Sequence, residues 1–160
     1  MHMRSKRAPK RIIVADPVYH HSLVTKIITR VMHSGKKTVA AKQVYRALEL
    51  VKTQTGVDPL PQLLTAIENI RPQMEVRARR IGGAAYQVPS PVRGVRQDSL
   101  AIRWLIMDAQ LRPSSQYHTF AEKLAAELID ALGGAGGAVK KKLDMHRMAE
   151  ANKAFAHFRW

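Results

Sequence analysis

The sequence predicts a mainly α-helical single domain of about six helices, with one β-hairpin protruding between the third and the fourth. Three observations carry this. Apolar residues return every three or four positions over most of the chain, the period changes to two between Met74 and Ile81, and glycines and prolines stand where those patterns stop. With 160 residues, 46% of them hydrophobic, there is enough material for one core of ordinary size. The expected division is a basic N-terminal arm over 1–15 and a helical body over 16–160, interrupted by a hairpin at about 73–90.

Leu23, Ile27 and Val31 repeat every four residues, with Val24 and Ile28 beside them, and define the first helix. Pro17 suits its entrance and Gly35 closes it. Thr38 can cap a second helix, whose Ala41, Val44, Leu48 and Val51 form one stripe that ends at Gly56. Asp58 and Pro59 open a third, where Leu60, Leu63, Leu64 and Ile67 cover one face before the Arg71-Pro72 break.

Strand spacing follows. Met74, Val76 and Ala78 fall on one face and Glu75, Arg77 and Arg79 on the other; Tyr86 and Val88 resume the alternation after Gly82 and Gly83. Pro89 and Pro91 are expected to end the pairing. Because an isolated two-stranded hairpin is marginal in water, this one must dock on the helices near its base or on a partner at its tip.

Helicity returns near Gln97 or Asp98, with Leu100, Trp104, Met107 and Leu111 at core spacing until Pro113. A fifth helix, capped by Ser114 or Ser115, repeats Phe120, Leu124, Leu128 and Leu132. It stops at residues 133–137, four of which are glycine, and these read as a flexible joint. The last helix starts at about Ala138 and carries Lys140, Lys141 and Lys142 in its first turn, where the helix dipole disfavours cations. Helix stability would have chosen acids there, so the three lysines are assigned to a ligand.

Charge points to what that ligand is. Formal net charge is +15, from 27 Lys and Arg against 12 Asp and Glu, so a polyanionic partner is expected. Between Arg71 and Arg103 there are seven arginines, no lysine and only two acids, Glu75 and Asp98. Arginine presents a rigid fork of donors that matches phosphate oxygens, whereas mere solvation would tolerate a mixture with lysine. A membrane is the competing polyanion, but no apolar run approaches the roughly 18 to 20 residues needed to span a bilayer, and the cations are scattered over several segments. No cysteine is present, which fits a reducing compartment. The segment Met1 to Arg11 is basic without the apolar stretch of a secretory signal, and the cytoplasm is the default location.

Other chemistry is thinly represented. No glycine-rich phosphate loop, acidic metal cluster or nucleophile with its base is visible, which argues against a nuclease or nucleotide-modifying enzyme; no catalytic residue, cofactor or small-molecule substrate is expected. His146 and Glu150 stand one helical turn apart but lack a third ligand, so no metal is assigned. His20 and His21 read as polar or phosphate-contacting residues. Trp104 and Tyr86 fall at spacings that favour core packing over base stacking, and Arg103, beside Trp104, leans more than the other arginines to a structural role, with nucleic-acid contact left open. The terminal Phe155, Phe158 and Trp160 are an unusual chain end for a free domain, and fit docking either on the body or on a neighbour. These features leave nucleic-acid binding as the function, with an architectural DNA-binding protein, its arginine hairpin in a minor groove and Ile81 as a wedge, the alternative to RNA.

Four collinear motifs add a resemblance. The segment Glu75 to Val88 (EVRARRIGGAAYQV) with Glu68 to Pro72 before it, the end from His146 to Trp160, Asp16-Pro17 with Gly35 to Lys37, and Ser99 to Trp104 together resemble the seventh small-subunit ribosomal protein family, bacterial type. The likeness implies six helices plus a long hairpin. It also implies a non-enzymatic component of the small ribosomal subunit that binds the 3′ major domain of the rRNA and nucleates assembly of the subunit head. Its hairpin, here Arg77, Arg79, Arg80, Gly82 and Gly83, would reach the exit-site tRNA and the mRNA exit path. The arm (Arg4, Lys6, Arg7, Lys10, Arg11), the loop Lys36 and Lys37, and Arg93 and Arg96 would take rRNA. Lys140, Lys141 and Lys142, assigned from their own placement, join that set. The ninth and eleventh small-subunit proteins are the implied neighbours, with Phe155, Phe158 and Trp160 as the patch for the eleventh. Residues 133–137 are richer in glycine than the usual loop of that family. An organelle ribosome is the alternative to a cytoplasmic one.

Overall fold

The computed structural model describes residues 12–158, so the arm residues Arg4, Lys6, Arg7, Lys10 and Arg11, and Trp160, lie outside the described part. The chain folds as α1 (Ser22–Val31), α2 (Lys37–Thr55), α3 (Pro59–Ile70), β1 (Met74–Ile81), β2 (Ala84–Pro91), α4 (Val95–Leu111), α5 (Phe120–Leu132) and α6 (Gly136–Ala151), closed by a 3₁₀ turn over Lys153–Phe158. This is the mainly helical fold expected, with the antiparallel hairpin between α3 and α4.

The apolar stripes converge on α4 and α5. Leu100, Ala101, Ile102, Trp104, Leu105, Ile106 and Ala109 are buried, so α4 is covered by α1, α3, α5 and α6 nearly all round. α5 lies against α2, α3, α4 and α6 through Leu124, Ala125, Leu128 and Ala131. The stripe from Leu23 to Val31 is buried at all five positions. At the outer end of α4 the spacing misleads, because Met107 and Leu111 are exposed.

Helix starts shift for identifiable reasons. α1 begins at Ser22 rather than near Pro17, because the buried Asp16 accepts hydrogen bonds from the N–H of Val18 and Tyr19 and holds that stretch as a turn. His21 is then the cap, its Nδ1 accepting from the N–H of Leu23 at 3.2 Å. α2 begins at Lys37, which puts Thr38 inside the helix rather than at its cap. α4 begins at Val95, earlier than Gln97 or Asp98, after Gly94 takes a left-handed φ of +54°. α5 is capped by Thr119, not by Ser114 or Ser115: Thr119 accepts from the N–H of Glu122, and the Glu122 carboxylate accepts from the N–H of Thr119 and of His118.

The hairpin pairs from Met74 opposite Pro91 to Ile81 opposite Ala84, so pairing runs through both prolines instead of ending at them. The N–H of Val92 donates to the carbonyl of Gln73 at 2.8 Å, which turns even-numbered β2 positions inward and leaves Pro89 and Pro91 facing the outer edge, where no N–H is needed. Its base docks on α6 and the 3₁₀ turn, the first of the two anchorages expected.

The second half of the glycine run, read from the sequence as a flexible joint, is closely packed. A Cβ on Gly136 would stand 2.9 Å from Glu127 Oε1, and one on Gly137 3.0 Å from Asp108 Cγ. Glycine lets α6 start directly against two buried carboxylates of α5 and α4.

Candidate nucleic-acid interface

Cations meet acids at the root of the hairpin. Glu75 is the buried residue of β1, at 4% exposure, so the strand's polar face turns inward at its base. Its Oε1 takes Arg77 through Nε and Nη2, and its Oε2 takes Arg96 through Nε at 3.2 Å and Nη2 at 3.0 Å. Nearby, Asp98 accepts Lys26 at 3.1 Å and Arg71 at 2.8 Å, while Arg71 also pairs with Glu68. The two acids of the arginine tract thus each bridge two cations from different elements. Arg77 and Arg96 are partly neutralised at this root, a partnership that reading the strand by alternation alone did not reveal.

Towards the tip, Arg79 is half-buried and opposite Tyr86, and Arg80 is exposed and opposite Ala85. Gly82 and Gly83 form the two-residue loop with φ of +55° and +91°, the pattern of a type I′ turn that residues with a Cβ rarely adopt. Tyr86 packs against Phe155 and Phe158, with ring centroids 5.2 and 5.5 Å apart. Of the two docking sites expected for the terminal aromatics, these two therefore use the chain's own hairpin.

Lys36 and Lys37 are exposed at the entrance of α2, which has no side-chain cap and no acid in its first turn, so backbone N–H groups and lysines present positive charge together. The turn before them is closed by the N–H of Lys36 donating to His33 and that of Lys37 to Gly35, itself at φ +73°. Asp16 reaches the same region. Burial alone would raise its pKa, but hydrogen bonds from Tyr45 and from the N–H of Tyr19 and Val18, with His20 nearby, carry its carboxyl below the ordinary value. Burial and the same bond to Asp16 push the Tyr45 hydroxyl up to about 12. The Asp16-Pro17 motif is thereby explained as a fold element that ties the turn before α1 to Tyr45 of α2.

Arg93 is exposed in the loop leading into α4. At the chain's described beginning, Thr25 Oγ1 donates to the carbonyl of Val14, and Ile13 lines a cavity of about 210 Å³ with Lys26, Arg30 and Val95. Ile13 and Val14 therefore lie beside α1 and the start of α4.

The lysines of α6 divide. Because α6 begins at Gly136, they occupy its second turn, not its first. Lys141 pairs with Asp108 at 3.1 Å and Lys142 donates to the carbonyl of Asn69 at 2.8 Å, so both have partners within the protein; Lys140 is exposed. The acid that helix stability demands comes from α5: Glu127 Oε1 accepts from the N–H of Ala138, while Oε2 takes Arg112 at 2.9 and 2.7 Å. Asn69 closes α5 in turn by donating to the carbonyl of Ala131. His146 Nε2 accepts from the N–H of Gln73 at 3.0 Å, and burial, with Lys142 nearby, lowers its pKa, which keeps it neutral in that role. No cluster of ligands able to hold a metal occurs among the described residues. No helix among them is long and apolar enough to cross a membrane.

Among the described residues this geometry groups cations in three settings: an exposed lysine loop, a basic finger with a tight glycine tip, and arginines fixed by acids at its root. Comparison with known proteins accords with it. Residues 3–153 match the family described as Ribosomal protein S7p/S5e. Proteins named small ribosomal subunit protein uS7 from Streptococcus pneumoniae strains Hungary19A-6, CGSP14 and 70585 are each 54% identical to this chain over 157 residues, covering 98% of it and 99% of their own length.

Proposed function

We propose, from the premise that the chain belongs to the Ribosomal protein S7p/S5e family, that it clamps the 3′ major domain of small-subunit rRNA and nucleates assembly of the subunit head. The chain is a structural component of the small ribosomal subunit, with a part in translation and no enzymatic activity. In the finer reading, the arm over 1–15 and the body over 16–160 grip separate segments of one folded RNA. Lys36, Lys37, Arg93, Arg96 and Lys140 take phosphates with the arm residues Arg4, Lys6, Arg7, Lys10 and Arg11. Arg77, Arg79 and Arg80, carried out to Gly82 and Gly83, lie towards the exit-site tRNA and the mRNA exit path. The ninth and eleventh small-subunit proteins are the neighbours, and the ribosome concerned is cytoplasmic. Lys141 and Lys142 act mainly within the protein.

The observation that carries this reading is the exposure of cations on separate elements, at the entrance of α2, along the hairpin, before α4 and on α6, on a chain of net charge +15. Affinity then comes from many phosphate contacts, and selection from the shape of the RNA that fits them together. By fixing that shape the protein makes later binding events more favourable through linked equilibria.

Two measurements test it. Association with nucleic acid in the cell should be lost after RNase and survive DNase; the reverse would favour the architectural DNA reading. Changing Lys36 and Lys37 to Ala should weaken binding to a transcript of the 3′ major domain and reduce the slope of log affinity against log salt by about 1 to 2. An unchanged slope refutes the anchor role of that loop.

A further inference from the structure

Glu75 is hard to explain as a solubility or attraction device. It is one of only two acids in a stretch of seven arginines, and a negative charge there weakens attraction to any polyanion. Burying a carboxylate also has a large desolvation cost unless its oxygens are well served. Both are: Oε1 by Arg77 of β1, Oε2 by Arg96 in the first turn of α4. Each arginine engages through Nε and one terminal nitrogen, while its side chain keeps about half its surface in solvent, 54% for Arg77 and 48% for Arg96. A guanidinium carries five N–H donors, so each still has donors for a second acceptor.

We propose that Glu75 is a positioning residue, holding Arg77 and Arg96 as one rigid cationic pair that grips neighbouring phosphates of the folded RNA. It thus governs which RNA is bound rather than how strongly RNA in general is attracted. This rests on the rRNA-contact reading of Arg96 given above, and extends it to Arg77, which stands at the root of the hairpin beside Arg96 rather than at its tip. A long free side chain loses rotamer freedom when it binds a phosphate; two guanidiniums already fixed on one carboxylate lose less, but only for phosphates at the matching separation. The carboxylate exchanges raw attraction for geometry. Its bridge also ties the hairpin root to α4, so the spacing between the two grips is set by the fold.

Charge and geometry predict opposite results for Glu75→Gln, which makes the idea testable in the full-length protein. Binding would be measured to a transcript of the 3′ major domain of bacterial small-subunit rRNA and to an unrelated transcript of equal length, with folding followed by circular dichroism. Glu75→Gln should bind the unrelated RNA as tightly as the parent or more so, and the rRNA transcript about tenfold more weakly. In an Arg77→Ala/Arg96→Ala background the same change should cost nothing further. Tighter binding of both RNAs, or an equal loss with the arginines absent, overturns the proposal. Should the Gln variant not fold, Arg96→Lys serves: it keeps the charge and loses the fork, and should lower affinity for the rRNA transcript alone by several-fold. Parental binding by Arg96→Lys overturns the proposal equally. If the unaltered protein itself does not prefer the rRNA transcript, the rRNA reading fails instead.

Discussion

Replacing Gly136 with alanine should destabilise the protein far more than the same change two residues earlier. Gly134 and Gly136 both have left-handed backbones, at φ +71° and +89°, so either substitution carries conformational strain of about 1 to 2 kcal/mol. At Gly134 nothing lies within 4 Å of the added methyl. At Gly136 the methyl meets Glu127 Oε1 at 2.9 Å and Asp130 Cβ at 3.1 Å. Glu127 is fully buried and committed to the N–H of Ala138 and to Arg112, so it cannot swing aside without leaving a donor unpaired. That adds about 1 to 3 kcal/mol for the broken hydrogen bond or the crowding. For a chain of this size each kcal/mol lowers Tm by about 2 to 4 °C, so Gly134→Ala should cost a few degrees and Gly136→Ala about twice that or more. Thermal melting followed by circular dichroism gives both values side by side. Equal shifts would show that the approach of α6 to Glu127 is not a constraint, and the packed-joint account would fail.

Alkaline titration should expose the Tyr45–Asp16 bond. The folded pKa of Tyr45, about 12, exceeds the ordinary tyrosine value of 10.0, so its contribution is complete below pH 10 and disappears as pH rises through 12. Urea midpoints should therefore fall less between pH 10 and 12 in Tyr45→Phe than in the parent; parallel declines would remove Tyr45 as the cause. Tyr86→Ala should release the hairpin from Phe155 and Phe158, each pair contributing about 0.5 to 1.5 kcal/mol. Hydrogen exchange should quicken over 74–91 while the core of α4 and α5 keeps its protection, and uniform loss across the chain would argue against a locally braced finger.

Most of the helical framework was legible because packing follows period. The five apolar positions of α1 and the opening of α3 at Asp58 and Pro59 are read from spacing and caps alone. Some of what was missed was also written locally. Thr119 followed three residues later by Glu122 is a capping-box pattern, although Ser114 and Ser115 offer capping side chains directly after Pro113. The rest was not local. Glycines at 133–137 look the same whether a segment is loose or pressed against a carboxylate, and the carboxylates belong to α4 and α5. Lys141 and Lys142 seemed misplaced because Asp108 and Asn69, which receive them, are far away in sequence. At the interface, composition identified the arginine tract and its two acids, but strand alternation only grouped Glu75 with Arg77 and Arg79 on one face; its burial follows from α4 bringing Arg96 alongside.

The docking of the hairpin on α6 and the closing 3₁₀ turn has a consequence for how the molecule comes into being. The finger leaves the synthesising machinery long before the segment that steadies it, since Tyr86 must wait for Phe155 and Phe158. A nascent chain can gather its first five helices while the finger still lacks its seat. Only on completion does the basic finger acquire a defined direction, so truncated products, however well collapsed, would carry the charge without the aim.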